Sequence, residues 1–147
     1  MTQNFQVSAI DRIDEDLRAL VAIAHVEGYA FMDRLIEHWE SGSNRFDRPG
    51  EQYFIVRKHG QLVAAGGLNR DPYCDKEGIG RVRHVYVAPD ARRGGAGTAL
   101  MVEILSAARG HFTLLRLRTT TDRGAAFYEA LGFARSDATD ASHVMQL

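Results

Sequence analysis

The chain has 147 residues, a formal charge of -1 at neutral pH and a single cysteine. That length suits one domain, residues 1–147, able to bury roughly 70% of the surface its unfolded form exposes, with no metal or disulfide staple needed. A charge near zero gives no bulk attraction to nucleic acid or anionic lipid, no apolar run approaches the roughly 18 residues that span a bilayer, and Cys74 has no partner for an internal bridge, so a reducing, cytoplasmic setting is expected, with neither nucleic acid nor membrane as partner.

The first twenty residues lack a charged segment followed by an apolar run, so no secretory signal is read. A β-prone opening covers Phe5 to Ile10. Behind Asp14, a plausible N-cap, Leu17, Leu20, Val21 and Ala24 recur at helical spacing. Gly28 interrupts the pattern. Met32, Leu35, Ile36 and Trp39 then repeat it until Ser41-Gly42 ends a second helix. The Gly/Ser/Pro-rich stretch Ser41 to Gly50 is short enough for a loop.

From Gln52 the pattern becomes β-rich. Tyr53 to Arg57 and Leu62 to Leu68, joined at His59-Gly60, predict an antiparallel hairpin. Arg81 to Ala88 predicts another strand, ended by Pro89 because proline cannot donate to a ladder. Thr98 to Arg109 reads as a helix burying Leu100, Ile104 and Ala108, with Met101 and Leu105 beside them. Phe112 to Thr120 returns to β, which makes a strand, helix, strand crossover between parallel strands. A short helix over Arg123 to Leu131 and a strand over Ser142 to Leu147 complete an α/β chain with a mixed sheet.

The turn from strand to helix through Arg92-Arg93-Gly94-Gly95-Ala96-Gly97 is the segment richest in chemistry. The first N–H groups of a helix lack intrahelical partners and point one way, the helix dipole adds partial positive charge, and glycines let the backbone come close to an anion. A connector that binds nothing is the alternative. No Lys-Ser/Thr follows the glycines as a nucleoside-triphosphate loop requires, and the G-x-G-x-x-G spacing of dinucleotide folds is absent.

Arg92-x-x-Gly95-x-Gly97, preceded by Val85-Tyr86-Val87-x-Pro89, resembles the acetyl-CoA signature of the GNAT acetyltransferase superfamily. Phe127-Tyr128-Glu129-Ala130-Leu131-Gly132-Phe133 resembles the F-Y-x-x-x-G-F stretch that follows in those enzymes, and His143 to Leu147 has the look of their last strand. The resemblance implies a sheet splayed open near Arg81 to Ala88, usually by a bulge. The pantetheine arm of acetyl-CoA would lie along Val85, Tyr86 and Val87. The pyrophosphate would rest on the loop from Arg92 through Arg93, Gly94, Gly95, Ala96 and Gly97 to Thr98. The implied reaction is direct attack of an amine on the acetyl thioester, with the Val85 backbone N–H as oxyanion donor and Tyr128 as general acid. Packing of Tyr128 as a core aromatic is the alternative. Gly132-Phe133 has a structural account as a helix C-cap.

The chain departs from the family at two places. Many members carry a glutamate on the strand before the glycine loop to take the amine proton, and the matching position here is Arg81. His84, then Glu77, Glu27 and His25, are the candidate substitutes; water as carrier, or a substrate that arrives neutral, is the alternative. Where an asparagine is usual before the tyrosine helix, this chain has Thr121, whose hydroxyl suits a helix cap or a cofactor amide. The scattered histidines give no metal spacing, so no metal is expected. Cys74 reads as structural.

The resemblance places the acceptor pocket among His25 to Phe31, Asn69 to Glu77, and Ala134 to His143. These segments carry both signs of charge, so no acceptor charge follows from them. A small-molecule amine or amino acid is the expected acceptor, with a peptide N-terminus or lysine, a non-catalytic acetyl-CoA binder, and another anion-binding α/β domain as alternatives. Relatives are often dimers, so a homodimer is an open expectation.

Overall fold

The computed structural model describes residues 4–147. Its strands are β1 (Phe5–Ile10), β2 (Gln52–Lys58), β3 (Gln61–Arg70), β4 (Ile79–Val87), β5 (Leu114–Leu117), β6 (Ala134–Arg135) and β7 (His143–Gln146), and its helices α1 (Glu15–Val26), α2 (Phe31–Ser41), α3 (Ala96–Arg109) and α4 (Asp122–Ala130). The strands form one sheet in the order β1-β2-β3-β4-β5-β7-β6. Only β4 and β5 run parallel; the other neighbours are antiparallel. Among the described residues no helix is long and apolar enough to cross a membrane.

The sheet is covered on both faces, which explains why β2 and β3 read as near-continuous apolar runs instead of alternating ones. Along β2, Tyr53 and Ile55 join the core under α1 and α2, while Phe54 and Val56 join the core under α3. The Asp14 side chain accepts from the Leu17 N–H at 2.9 Å, so the α1 cap forms where the sequence predicts it. The hairpin turn is the expected two-residue one: Lys58 pairs with Gln61, and His59 and Gly60 both take positive φ, 51° and 80°.

Two elements differ from expectation. The strand predicted over Phe112 to Thr120 is only Leu114–Leu117. Phe112 instead closes α3, its N–H bonded to the Ala108 carbonyl, and its ring is buried. Beyond Leu117 the chain has no β4 partner, because the β4–β5 ladder stops at Arg81 and Arg116. The two-residue β6 was not anticipated; both its residues are exposed and give no periodic signal.

The feature that shapes the molecule's centre is a bulge in β4. Ala65 pairs with Tyr86 and Gly67 with Arg83, so Gly66 alone faces both His84 and Val85. His84 takes φ 54°, a left-handed conformation that glycine usually supplies. Gly66 makes the bulge possible: a Cβ there would lie 2.8 Å from Val85 Cγ2 and 2.9 Å from Leu100 Cδ2. Gly66→Ala is therefore expected to destabilise the fold by about 1–3 kcal/mol through overpacking, read as a lowered urea midpoint; wild-type stability in that variant would mean that the bulge does not depend on the missing side chain.

Candidate active site

Past the last β4–β5 pair the two strands diverge, and an open cavity of about 1180 Å³ fills the gap. One wall is β4 from Val82 to Val87, which has no strand partner on the β5 side. The opposite wall is the segment from Leu117 to Thr121 that leads into α4, and the start of α3 closes one end. Of the site residues predicted from sequence, Gly94 and Ala96 and the reserve base candidates His25, Glu27 and Glu77 do not line this space; the others do.

The glycine loop, expected to receive a pyrophosphate, runs from the end of β4 into the start of α3. Arg93 and Gly95 are left-handed, φ 66° and 97°, so the backbone turns sharply, and the Gly94 N–H is bonded back to the Ala91 carbonyl at 3.4 Å. No side chain caps α3 at Gly95, which leaves the helix N-terminus available to a ligand. These features fit a pyrophosphate. Gly97 has a further role: a Cβ there would meet Phe127 Cζ at 3.2 Å and Val87 Cγ2 at 3.4 Å, so its absence lets α3 seat against α4 and β4. The Arg92 guanidinium is turned away from the loop. It donates to both Glu27 carboxylate oxygens, at 2.9 and 2.6 Å, and to the Val87 carbonyl.

That pairing also places Glu27. Its carboxylate is held below the usual range by Arg92 and by the hydroxyl of Tyr86, which donates to it. Glu27 does not line the cavity, nor do His25 and Glu77. His25 is exposed and bonded to Asp33 at 2.8 Å. His84 does line the cavity. Its Nδ1 lies 3.0 Å from the Phe31 carbonyl, and only as the Nδ1–H tautomer can the ring donate there. Its Nε2 is buried with no partner among the described residues, and burial lowers its pKa to about 3. The Tyr53 hydroxyl donates to the His84 carbonyl at 2.8 Å, so two hydrogen bonds hold the left-handed residue in place.

Arg81 sits where β4 and β5 part. It is 5% exposed and donates to the Asp140 carbonyl at 2.6 Å and to Asp71 at 3.4 Å, beneath the Tyr73 ring. Asp71, with a fully buried side chain, also pairs with Arg116 at 3.3 Å, and Arg116 pairs with Asp140. Two cations and two anions thus balance at the apex of the gap. The sequence identified Arg81 as anomalous but gave no sign of its partners, which lie 10, 35 and 59 residues away.

Tyr128 is carried by α4. The Thr121 hydroxyl accepts from the Gly124 N–H at 3.0 Å and caps that helix. Gly132, φ 106°, ends it, with Phe133 N–H returning to the Tyr128 carbonyl. Glu129 bonds His143 of β7 at 2.8 Å, fixing the helix to the sheet. The Tyr128 ring packs edge-on against Phe127 and Phe133, and burial raises its phenol pKa, so it stays protonated at neutral pH.

The family model of the acetyltransferase (GNAT) domain matches residues 49–135, the span that holds the bulge, the glycine loop and α4. The chain belongs to the GNAT acetyltransferase family. Among curated relatives, this GNAT chain is 34% identical over 90 residues to the N-alpha-acetyltransferase RimI of Mycobacterium tuberculosis; the match takes in 59% of this chain and 54% of RimI, so the chain spans about half the length of that relative. Among solved structures it is similar to a protein from Exiguobacterium sp. 255-15 assigned to the acetyltransferases, with TM-score 0.86, 28% identity, and 97% and 93% of the two chains covered. An acetyltransferase from Streptococcus agalactiae superposes with TM-score 0.76 over 99% and 100% of the chains at 17% identity, which speaks for the fold alone. In this GNAT fold the splay, the bulge and the loop all stand where the resemblance implied.

The buried charges lead to two expectations. Asp71→Asn would leave Arg81 and Arg116 short of an anion, and loss of about 3–5 kcal/mol of stability is expected; a change near zero in the urea midpoint would mean that the cluster carries no such strain. His84 makes stability depend on pH. The unfolded imidazole takes a proton below about 6.5, whereas the folded ring resists until about 3. The unfolded state therefore binds more protons in that window, and stability is lost as pH falls. Between pH 6.5 and 5 the decline is expected to reach at most about 1.4 kcal/mol per unit, and His84→Asn should flatten it. An identical slope in both proteins would assign the acid sensitivity elsewhere.

Proposed function

We propose that this chain transfers the acetyl group of acetyl-CoA to a primary amine of a small molecule, working in the cytoplasm as a single domain. The observation that carries the reading is one cavity lined jointly by the unpaired edge of β4, the uncapped start of α3 and Tyr128. Acetyl-CoA supplies the acyl thioester. The β4 edge from Val85 to Val87 offers backbone donors and acceptors to the pantetheine arm, and the N–H groups between Arg93 and Thr98, apart from that of Gly94, which is bonded to the Ala91 carbonyl, receive the pyrophosphate.

The amine nitrogen attacks the thioester carbonyl carbon while the carbon–sulfur bond breaks. The Val85 N–H donates to the carbonyl oxygen as negative charge grows on it; one such donor typically lowers the barrier by about 2.7–4 kcal/mol. Tyr128 gives its phenolic proton to the departing sulfur. The phenol is protonated at neutral pH, as a general acid must be, and because burial makes it a weaker acid it gives up the proton only to the departing thiolate.

The amine proton has no carboxylate to go to, since no Asp or Glu is among the described residues that line the cavity. His84, the sequence's first candidate, is a weak base at a pKa of about 3. The cationic walls compensate by destabilising an ammonium beside them, so the acceptor binds as the neutral amine; once it has attacked, its nitrogen gives up one of its two protons to water, and water returns a proton to the Tyr128 phenolate.

Mixing protein, acetyl-CoA and a broad amine panel while assaying free thiol tests the reading. Turnover above thioester hydrolysis is expected with at least one amine, and tight acetyl-CoA binding with none would make the chain a binder instead. Tyr128→Phe is expected to lower kcat by about 100-fold or more with acetyl-CoA affinity near the wild-type value; an unchanged kcat would remove Tyr128 from the chemistry.

A further inference from the structure

Among the described residues, the walls of the cavity are charged with one sign only. Every ionisable side chain on them that is charged at neutral pH is an arginine. Two of these are already neutralised: Arg81 by Asp71 and Arg92 by Glu27. Three more, Arg93, Arg118 and Arg123, stand on the loop before α3 and on the wall leading into α4, where the phosphates of the acetyl donor are expected. Arg83 and Arg34 remain, and they stand at the other end of the cavity, on β4 ahead of the bulge and on α2.

Arg83 is the more telling of the two. It is half-buried, and no carboxylate among the described residues hydrogen-bonds its guanidinium. Burial pulls its pKa down and neighbouring Arg81 adds to that pull, against the opposing influence of Tyr73, Asp71 and Glu51. Its side chain lines the cavity and is only partly covered, so a ligand there can reach it. Asp71 and Glu51 act on it only from a distance; a partly desolvated cation with no carboxylate in hydrogen-bond contact is an arrangement that a bound anion relieves, and the planar guanidinium fork matches a carboxylate with two parallel hydrogen bonds. Arg83 lies two residues before Val85 on the same strand, immediately ahead of the bulge. An anion on the Arg83 fork would therefore hold an amine a few bonds away close to the thioester.

We propose that the acceptor is an amine that carries a carboxylate a few bonds from its nitrogen, a free α-amino acid being the simplest case, with Arg83 as the carboxylate's principal partner and Arg34 as a second cation beside it. This rests on the acetyl-transfer reading of the cavity and adds the acceptor's chemical class to it. It also reconciles the lack of an acidic base with the reaction: a carboxylate supplies the attraction that an all-arginine wall denies to an ammonium.

The test pairs each amino acid with its carboxamide, in two measurements: acetylation kcat/KM, and calorimetric affinity for protein saturated with coenzyme A. The amide's amine is the weaker base and is more often neutral, so a preference for the acid cannot originate in the amine. The acid is expected to exceed its amide by about tenfold or more in kcat/KM. In Arg83→Gln that ratio should collapse toward one, and Arg83→Lys should restore part of it. The wild-type ratio stands as evidence even if a variant fails to fold. Peptides Asp-Ala-Ala-Ala and Ala-Ala-Ala-Ala distinguish a free amino acid from an acidic chain terminus as the source of the carboxylate. Amides acetylated as well as acids would overturn the inference and leave acetyl transfer intact. Acids that bind about tenfold tighter than amides without turnover would uphold the anion site and sink the catalytic reading, and equal or absent binding of both without turnover would end both.

Discussion

The parting of β4 from β5 is the constraint on which the site depends. Parallel strands in a covered sheet normally stay paired along their length, yet here the ladder stops after three residue pairs. Two devices hold the strands apart. The bulge at His84 and Val85 adds a residue to β4 and bends it, and the Asp71, Arg81, Arg116 and Asp140 cluster occupies the apex with side chains too large and too polar to be squeezed out. The gap exposes backbone donors and acceptors inside an otherwise closed fold, which a ligand with its own amide groups can satisfy.

Electrostatics divides this gap into regions. Balanced charges sit at the apex, where Asp71 fastens the loop after β3 to β4, and at the Glu27–Arg92 pair, which fastens the end of α1 to the loop before α3. Unbalanced cations face the open space. Such a distribution favours anionic ligands at both ends and disfavours cations throughout, so a protonated amine is repelled at the place where a neutral one must react. The strained His84 belongs to the same design: its left-handed backbone is part of the bulge, and its imidazole is committed to the Phe31 carbonyl, which ties α2 to the splayed strand.

Much of this could be read from the chain. Helical spacing in Leu17 to Ala24 and Met32 to Trp39, the Asp14 cap and the His59-Gly60 turn are local features, set by residues within a few positions of one another, and the structure agrees with them. The strand over Phe112 to Thr120 came out shorter because its β character is apolar content, whereas its length is decided by whether a partner strand is alongside. Arg92 shows the same limit: its place in the glycine loop suggested a phosphate ligand, while its guanidinium is taken by Glu27, 65 residues away.

The sequence by itself determined the element types, the family signature in Arg92 to Gly97 and Phe127 to Phe133, and the oddity of Arg81, because each is written in residues close together along the chain. Only the tertiary structure decided which charges meet. The segments expected to form the acceptor pocket contain acids and bases alike, but folding turns Glu27 and Asp71 toward arginine partners and leaves Glu77 off the cavity wall, while Arg34 and Arg83 face the space. Coulomb interactions act over a few ångströms in space whatever the separation in sequence, so the sign of the site emerges only when β4, α2 and the loop after β3 are brought together.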